Sequence, residues 1–174
     1  MQKIPTMYTR NEAIKGHPVQ PDVKPECAWV EAGEGIATHK LDGTNVKIKD
    51  GTLFKRQKPK EEDYTDAAYV QVEPADPSNK YIWEAFERLP EKKDGIYEAV
   101  GPKIQGGVEK AFTQHTLVMV VPALEIMVLH DAPRTFDALK EYLTGRPIEG
   151  IVFHHPDGRF AKIKRRDFQI PWPA

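Results

Sequence analysis

The chain has 174 residues, 40% hydrophobic and 29% charged, a length that supports one well-buried core and a composition of the globular kind. Its 25 Lys+Arg balance 26 Asp+Glu to a formal net charge of −1, so whole-chain charge gives no support to nucleic-acid binding. No apolar run is long enough to span a bilayer, "MQKIPTMYTRN" lacks the apolar core of a secretion signal, and a single cysteine excludes an internal disulfide, so a cytoplasmic protein is expected.

Fifteen prolines and twelve glycines divide the chain into short elements. "CAWVEA" reads as a strand with a buried Cys27 thiol, and "GIATHK" as a second strand after a Gly-Glu-Gly turn. "TNVKIK" and "TLFKRQ" flank Asp50-Gly51, a strong hairpin signal. Residues 58–78 are polar and carry prolines, which predicts a mobile loop. Helical spacing of Ile82, Phe86 and Leu89 predicts a helix in "NKYIWEAFERL", with Ser78 or Asn79 as its cap. "GIYEAVG" and "TLVMVV" read as strands, with "PKIQGG" as a loop after the first. "TFDALKEYLTG" reads as a short helix from a Thr135 cap to a Gly145 stop. "EGIVFHH" and "RFAKIK" close the chain as a hairpin around Asp157-Gly158. Strands and hairpins dominate and helices are few, so the expected class is α+β with antiparallel sheets.

Charge is concentrated in two places. "FKRQKPK" gathers Lys55, Arg56, Lys58 and Lys60 ahead of an acidic run from Glu61 to Asp63. "AKIKRRDF" gathers Lys162, Lys164, Arg165 and Arg166. Strand alternation puts Thr38 and Lys40 on one face of "ATHK", and Lys162 and Lys164 on one face of "AKIK". Such lysines either lie at a solvated sheet edge or face an anion, because an unpaired buried ammonium is costly.

Five segments occur in order: "KLDGTN", "FKR", "YEAVGPKIQG", "IEGIVF" and "AKIK". Together they resemble the covalent nucleotidyltransferases, which include polynucleotide ligases and capping enzymes. Within that superfamily the chain is most similar to ATP-dependent RNA ligases of the small, single-domain type. The resemblance spans residues 36–166 and implies one adenylation domain over residues 1–174, with no accessory C-terminal domain. It implies ATP and magnesium or manganese as cofactors, and RNA 5′-phosphate and 3′-hydroxyl ends as partners. No obligatory protein partner is evident, and neither is a membrane. A DNA ligase, a capping-type enzyme, an AMP transferase to another acceptor and a non-catalytic nucleotide- or RNA-binding module are the alternatives.

The resemblance also implies roles. Lys40 would be the nucleophile that takes AMP, with Lys162 and Lys164 beside it to favour its neutral form and to stabilise charge on the α-phosphate. Asp42 and Gly43 would belong to the same nucleotide-binding turn, with Gly43 allowing close backbone approach. Asn45 would donate to a phosphate or ribose oxygen, Arg56 would contact nucleotide and nucleic-acid end, and Glu98 would accept from a ribose hydroxyl. Glu149 would be the metal-site acid, with Ile151 or Val152 against the adenine face. Without the resemblance, Asp42 reads as a turn residue and Glu98 and Glu149 as exposed strand acids. Lys103 and Gln105 are further candidates for contact with nucleotide or RNA. "HPDG" reads as a turn with solvated histidines. The strand "TLVMVV" lacks the aromatic that the family stacks on adenine; Tyr97 and Phe112 are candidate substitutes.

Overall fold

Residues 4–57, 69–121 and 125–172 are described by a computed structural model of the chain. Its elements fall into two compact units, one over Leu41–Leu124, the other over Ile4–Lys40 and Glu125–Ala174. The chain passes from the second of these to the first between Lys40 and Leu41. Mixed helix and antiparallel sheet, with few helices among the described residues, agree with the α+β class.

The unit of residues 41–124 is built on a five-stranded antiparallel sheet. Its strands are β4 (Thr44–Lys49), β5 (Thr52–Arg56), β6 (Tyr69–Gln71), β7 (Gly95–Val100) and β8 (Thr116–Val121). They lie in the order β6-β5-β4-β7-β8. Asp50 and Gly51 both take positive φ, 49° and 72°, the geometry that matches a two-residue hairpin turn to strand twist. Period-two alternation turns Val46, Ile48, Leu53, Tyr97, Ala99 and Leu117 to one face. Ile82, Ala85 and Phe86, from the helix over Lys80–Glu87, pack on that face and complete a core.

The other unit holds a hairpin of β1 (Tyr8–Arg10) and β2 (Val19–Val23), and a three-stranded antiparallel sheet. The sheet consists of β3 (Ile36–Lys40), β9 (Gly150–His154) and β10 (Phe160–Lys164), with β9 in the centre. Ala37, Ile151, Phe153, Ala161 and Ile163 turn to the core and meet Leu139 and Leu143 from a helix over Phe136–Thr144.

Three local expectations change. "CAWVEA" is not a strand: a 3-10 turn at Pro25–Cys27 runs into α1 (Ala28–Glu31). Pro25 pre-sets helical φ, and consecutive Trp29 and Val30 are both buried, which a one-sided strand cannot achieve. Gly33, at φ 86°, ends the helix: its N–H bonds Val30 O at 3.0 Å and that of Glu34 bonds Trp29 O at 3.0 Å. The loop expected over residues 58–78 contains β6, held by pairing of Tyr69 with Arg56, and a 3-10 turn at Pro77–Asn79; residues 58–68 lie outside the described residues. Asn79 stands at the N-cap position as expected but makes no side-chain cap bond, because its amide donates to Glu73 O and accepts from Lys55. Asp76, one turn earlier, accepts from Ser78 N at 2.8 Å instead.

Candidate active site

Register in the three-stranded sheet brings the lysines together. Lys40 on β3 lies opposite Gly150 on β9, and Lys164 on β10 lies opposite the same glycine. Cross-strand partners share a face, so Lys40 and Lys164 flank a position with no side chain. In the next row Thr38 and Lys162 flank Val152 in the same way. Gly150 has a packing reason of its own, since a Cβ there would stand 2.2 Å from Ile163 O.

Glu149, one residue before β9, closes this group. Lys40 Nζ donates to its Oε2, and Lys164 Nζ donates to its Oε1 at 3.0 Å. Burial alone would raise the Glu149 pKa, but the Lys40 and Lys164 ammoniums outweigh it and hold the carboxyl below the usual range. Burial pushes Lys164 down, the nearby Lys40 charge adds to that, and Glu149 opposes both. Glu149 is therefore no exposed strand acid; its side chain is 14% accessible. A carboxylate held ionised is a weak base, so it steadies ammonium groups and does not take their protons.

Asn45, Arg56 and Glu98 gather on the non-core face of the five-stranded sheet. Asn45 on β4 is directly opposite Glu98 on β7, and its Nδ2 lies 3.4 Å from Glu98 Oε2. Arg56 on β5 is opposite Tyr69 on β6. Lys55 and Val46 are partners, which turns Lys55 toward the core side, where its ammonium donates to Asn79 Oδ1 at 2.6 Å. Asp42 uses its backbone N–H to reach Glu109 Oε1 at 2.7 Å. Gly43 is required by packing: a Cβ would lie 2.3 Å from Ala99 O and 2.9 Å from Glu98 Cγ. In the loop after Glu98, Gln105 Nε2 is 3.4 Å from Thr44 Oγ1, and the Lys103 N–H reaches His115 Nε2 at 3.3 Å.

The structure thus places Lys40, Lys162, Lys164 and Glu149 together in one unit, and Asp42, Gly43, Asn45, Arg56 and Glu98 in the other. Several expectations are corrected. Ile151 is fully buried in the core, so only Val152 of that pair shares the lysine face. Tyr97 is likewise buried on the core side, and its hydroxyl donates to Lys93 O at 2.8 Å. Arg165 does not join the basic face: a 3-10 turn at Arg165–Phe168 carries it inward, where it donates to the carbonyls of Leu143, Arg146 and Pro171. His154 is not solvated either; it lies 2.8 Å from Thr38 Oγ1, and burial depresses its pKa.

Sequence reasoning missed Tyr69 and Glu109. Tyr69 was hidden in a polar, proline-bearing stretch, although "YVQVE" alternates as a strand should. Glu109 carries no sequence signal; chain reversal after Gly106 and Gly107 brings it to the Asp42 backbone. No protein-family model matches the chain, and no curated protein matches it in sequence.

Proposed function

We propose that the protein is an ATP-dependent RNA ligase with a nucleotidyltransferase-type fold, and that it works through a lysyl-AMP intermediate on Lys40. The observation that carries this reading is the Lys40–Glu149–Lys164 cluster at the end of β3. An amine destined for phosphorus needs a cation beside it to stabilise charge on the phosphate, and Lys164 meets that need. In the first step the Lys40 ammonium leaves Glu149 and gives a proton to solvent; the resulting amine attacks the α-phosphorus, a P–N bond forms, the bond to pyrophosphate breaks, and a second proton leaves to solvent. AMP then passes from Lys40 to an RNA 5′-phosphate, which restores the amine. A 3′-hydroxyl attacks that activated phosphate, expels AMP and leaves a phosphodiester. Arg56 suits a phosphate, and Asn45 with Glu98 suits a ribose.

Glu149 also fits magnesium or manganese, which accept one carboxylate with water and phosphate oxygens completing the shell. A divalent cation held there would neutralise phosphate charge. Lys40 and Lys164 occupy the same carboxylate, so this chain's ammonium groups must loosen from Glu149 before it can serve another cation.

The test is incubation with α-labelled ATP and magnesium, followed by a denaturing gel. An acid-labile phosphoramidate adduct is expected, and Lys40→Ala should abolish it without unfolding the protein. An adduct that persists in Lys40→Ala, or that hydroxylamine cleaves as an acyl phosphate, overturns the assignment. Pre-adenylylated protein should then seal RNA ends better than matched DNA ends. Equal sealing would indicate a general end-joining enzyme, and labelling without sealing would indicate another AMP acceptor.

A further inference from the structure

The non-core face of the five-stranded sheet carries one transverse row of side chains. Tyr69 on β6 pairs with Arg56 on β5, and Asn45 on β4 pairs with Glu98 on β7. Because Lys55 is opposite Val46, Arg56 falls beside Asn45 and joins the two pairs into one row. The Tyr69 hydroxyl crosses β5 to bond Asn45 Oδ1, while the Asn45 amide nitrogen faces Glu98 Oε2 at 3.4 Å. Lys47 on the same face lies 5.7 Å from the centre of the Tyr69 ring.

These contacts fix which way the Asn45 amide points. The Asn45 Nδ2 group donates to Glu98 Oε2 and its Oδ1 accepts from the Tyr69 hydroxyl, so the NH2 group faces Glu98 and the amide oxygen faces Tyr69. Tyr69 is then the donor. The second N–H of Asn45 has no protein partner among the described residues, and the side chain is half-buried at an accessible face. An amide donor beside a carboxylate acceptor is the complement of a hydroxyl that accepts from one and donates to the other. With the amide reversed, an oxygen would face the carboxylate and the complement would be lost.

We infer that Tyr69 is a positioning residue that locks the Asn45 amide so that Asn45 and Glu98 together read a ribose hydroxyl, making the site selective for ribonucleotides. This rests on the nucleotide-transfer reading above. Tyr69 acts through Asn45 and touches no reacting atom.

The experiment compares wild type and Tyr69→Phe for their preference for ATP over 2′-deoxy-ATP and 3′-deoxy-ATP. Preference is read both from the half-saturating concentration for self-labelling and from the nucleotide-induced rise in melting temperature. Wild type should favour ATP over at least one deoxy analogue. Tyr69→Phe should narrow that preference by about 3–10-fold, the value of one hydrogen bond, while its melting temperature without nucleotide stays near that of wild type. Asn45→Asp, which keeps an acceptor for Tyr69 but loses the donor, should narrow it at least as much. A Tyr69→Phe variant that weakens ATP and both analogues by one common factor, or that leaves the preference unchanged, overturns the inference. Wild type that binds none of the three nucleotides overturns the nucleotide-transfer reading itself, whatever the variants do.

Discussion

Replacing Glu149 with glutamine removes the negative charge shared by Lys40 and Lys164 while keeping the shape of the side chain. Two ammonium groups then face each other across Gly150 with an amide between them. Breaking a fully buried ion pair costs about 3–5 kcal/mol. Here the side chains retain 14% exposure at Glu149, 23% at Lys40 and 12% at Lys164, so water recovers part of that loss. The expected destabilisation is about 2–3 kcal/mol, or about 4–12 °C in melting temperature for a chain of this length. Lys164→Met should destabilise less, because it leaves Glu149 paired with Lys40. The double variant Glu149→Gln, Lys164→Met should recover about 1–2 kcal/mol relative to Glu149→Gln, because it removes the repulsion that the first change exposes. Thermal and urea denaturation at neutral pH measure all four proteins. A Glu149→Gln melting temperature within a degree of wild type, or a double variant less stable than Glu149→Gln, would refute the shared-carboxylate account.

The same cluster sets a pH dependence. The Glu149 carboxyl is held below its usual range, so its contribution is complete above about pH 4.3 and is lost as pH falls through the lowered value. Urea midpoints of wild type and Glu149→Gln should therefore converge in acid, and a gap that stays constant from pH 7 to pH 3 contradicts the assignment. Gly43→Ala forces a Cβ to within 2.3 Å of Ala99 O and against Glu98, so it should cost about 2 kcal/mol and weaken nucleotide-induced stabilisation as Glu98 shifts. Unchanged melting with and without ATP would show that β7 yields to the extra carbon.

Much of the fold was legible because alternation is a strong signal where one sheet face is buried. Val46 and Ile48 announce β4, and Asp50-Gly51 announces its turn. The short helix α1 escaped for a physical reason: it is a single turn, and its buried Trp29 and Val30, with buried Cys27 at its N-cap, imitate an apolar strand. Pro25, at the first position of the turn, was the available signal. Candidate site residues were legible by type, and the sheet register explains why Lys40, Lys164 and Glu149 meet. Orientation was not legible where the backbone leaves its strand. Alternation from Lys162 through Lys164 stops at Arg165, which the 3-10 turn redirects to bond the C-terminal carbonyls of the Phe136–Thr144 helix and the loop beyond it. Tyr69 escaped because its role depends on Asn45, two strands away in the sheet.

The buried thiol of Cys27 has a practical consequence for chemical labelling. Burial, with the nearby Glu26 charge adding to it, pushes its pKa up to about 11. At pH 7 about one molecule in ten thousand carries the thiolate that maleimides and iodoacetamides attack, and burial shields even that fraction. An introduced, solvent-facing cysteine with an ordinary pKa would be about 3% thiolate at the same pH. Placed at exposed Lys49, beside the Asp50-Gly51 turn, it would outcompete the native thiol several-hundred-fold by ionisation alone, an order-of-magnitude ratio set by the two pKa values. The natural chain is therefore a ready background for attaching a single fluorophore or spin label, with Cys27 left in its core.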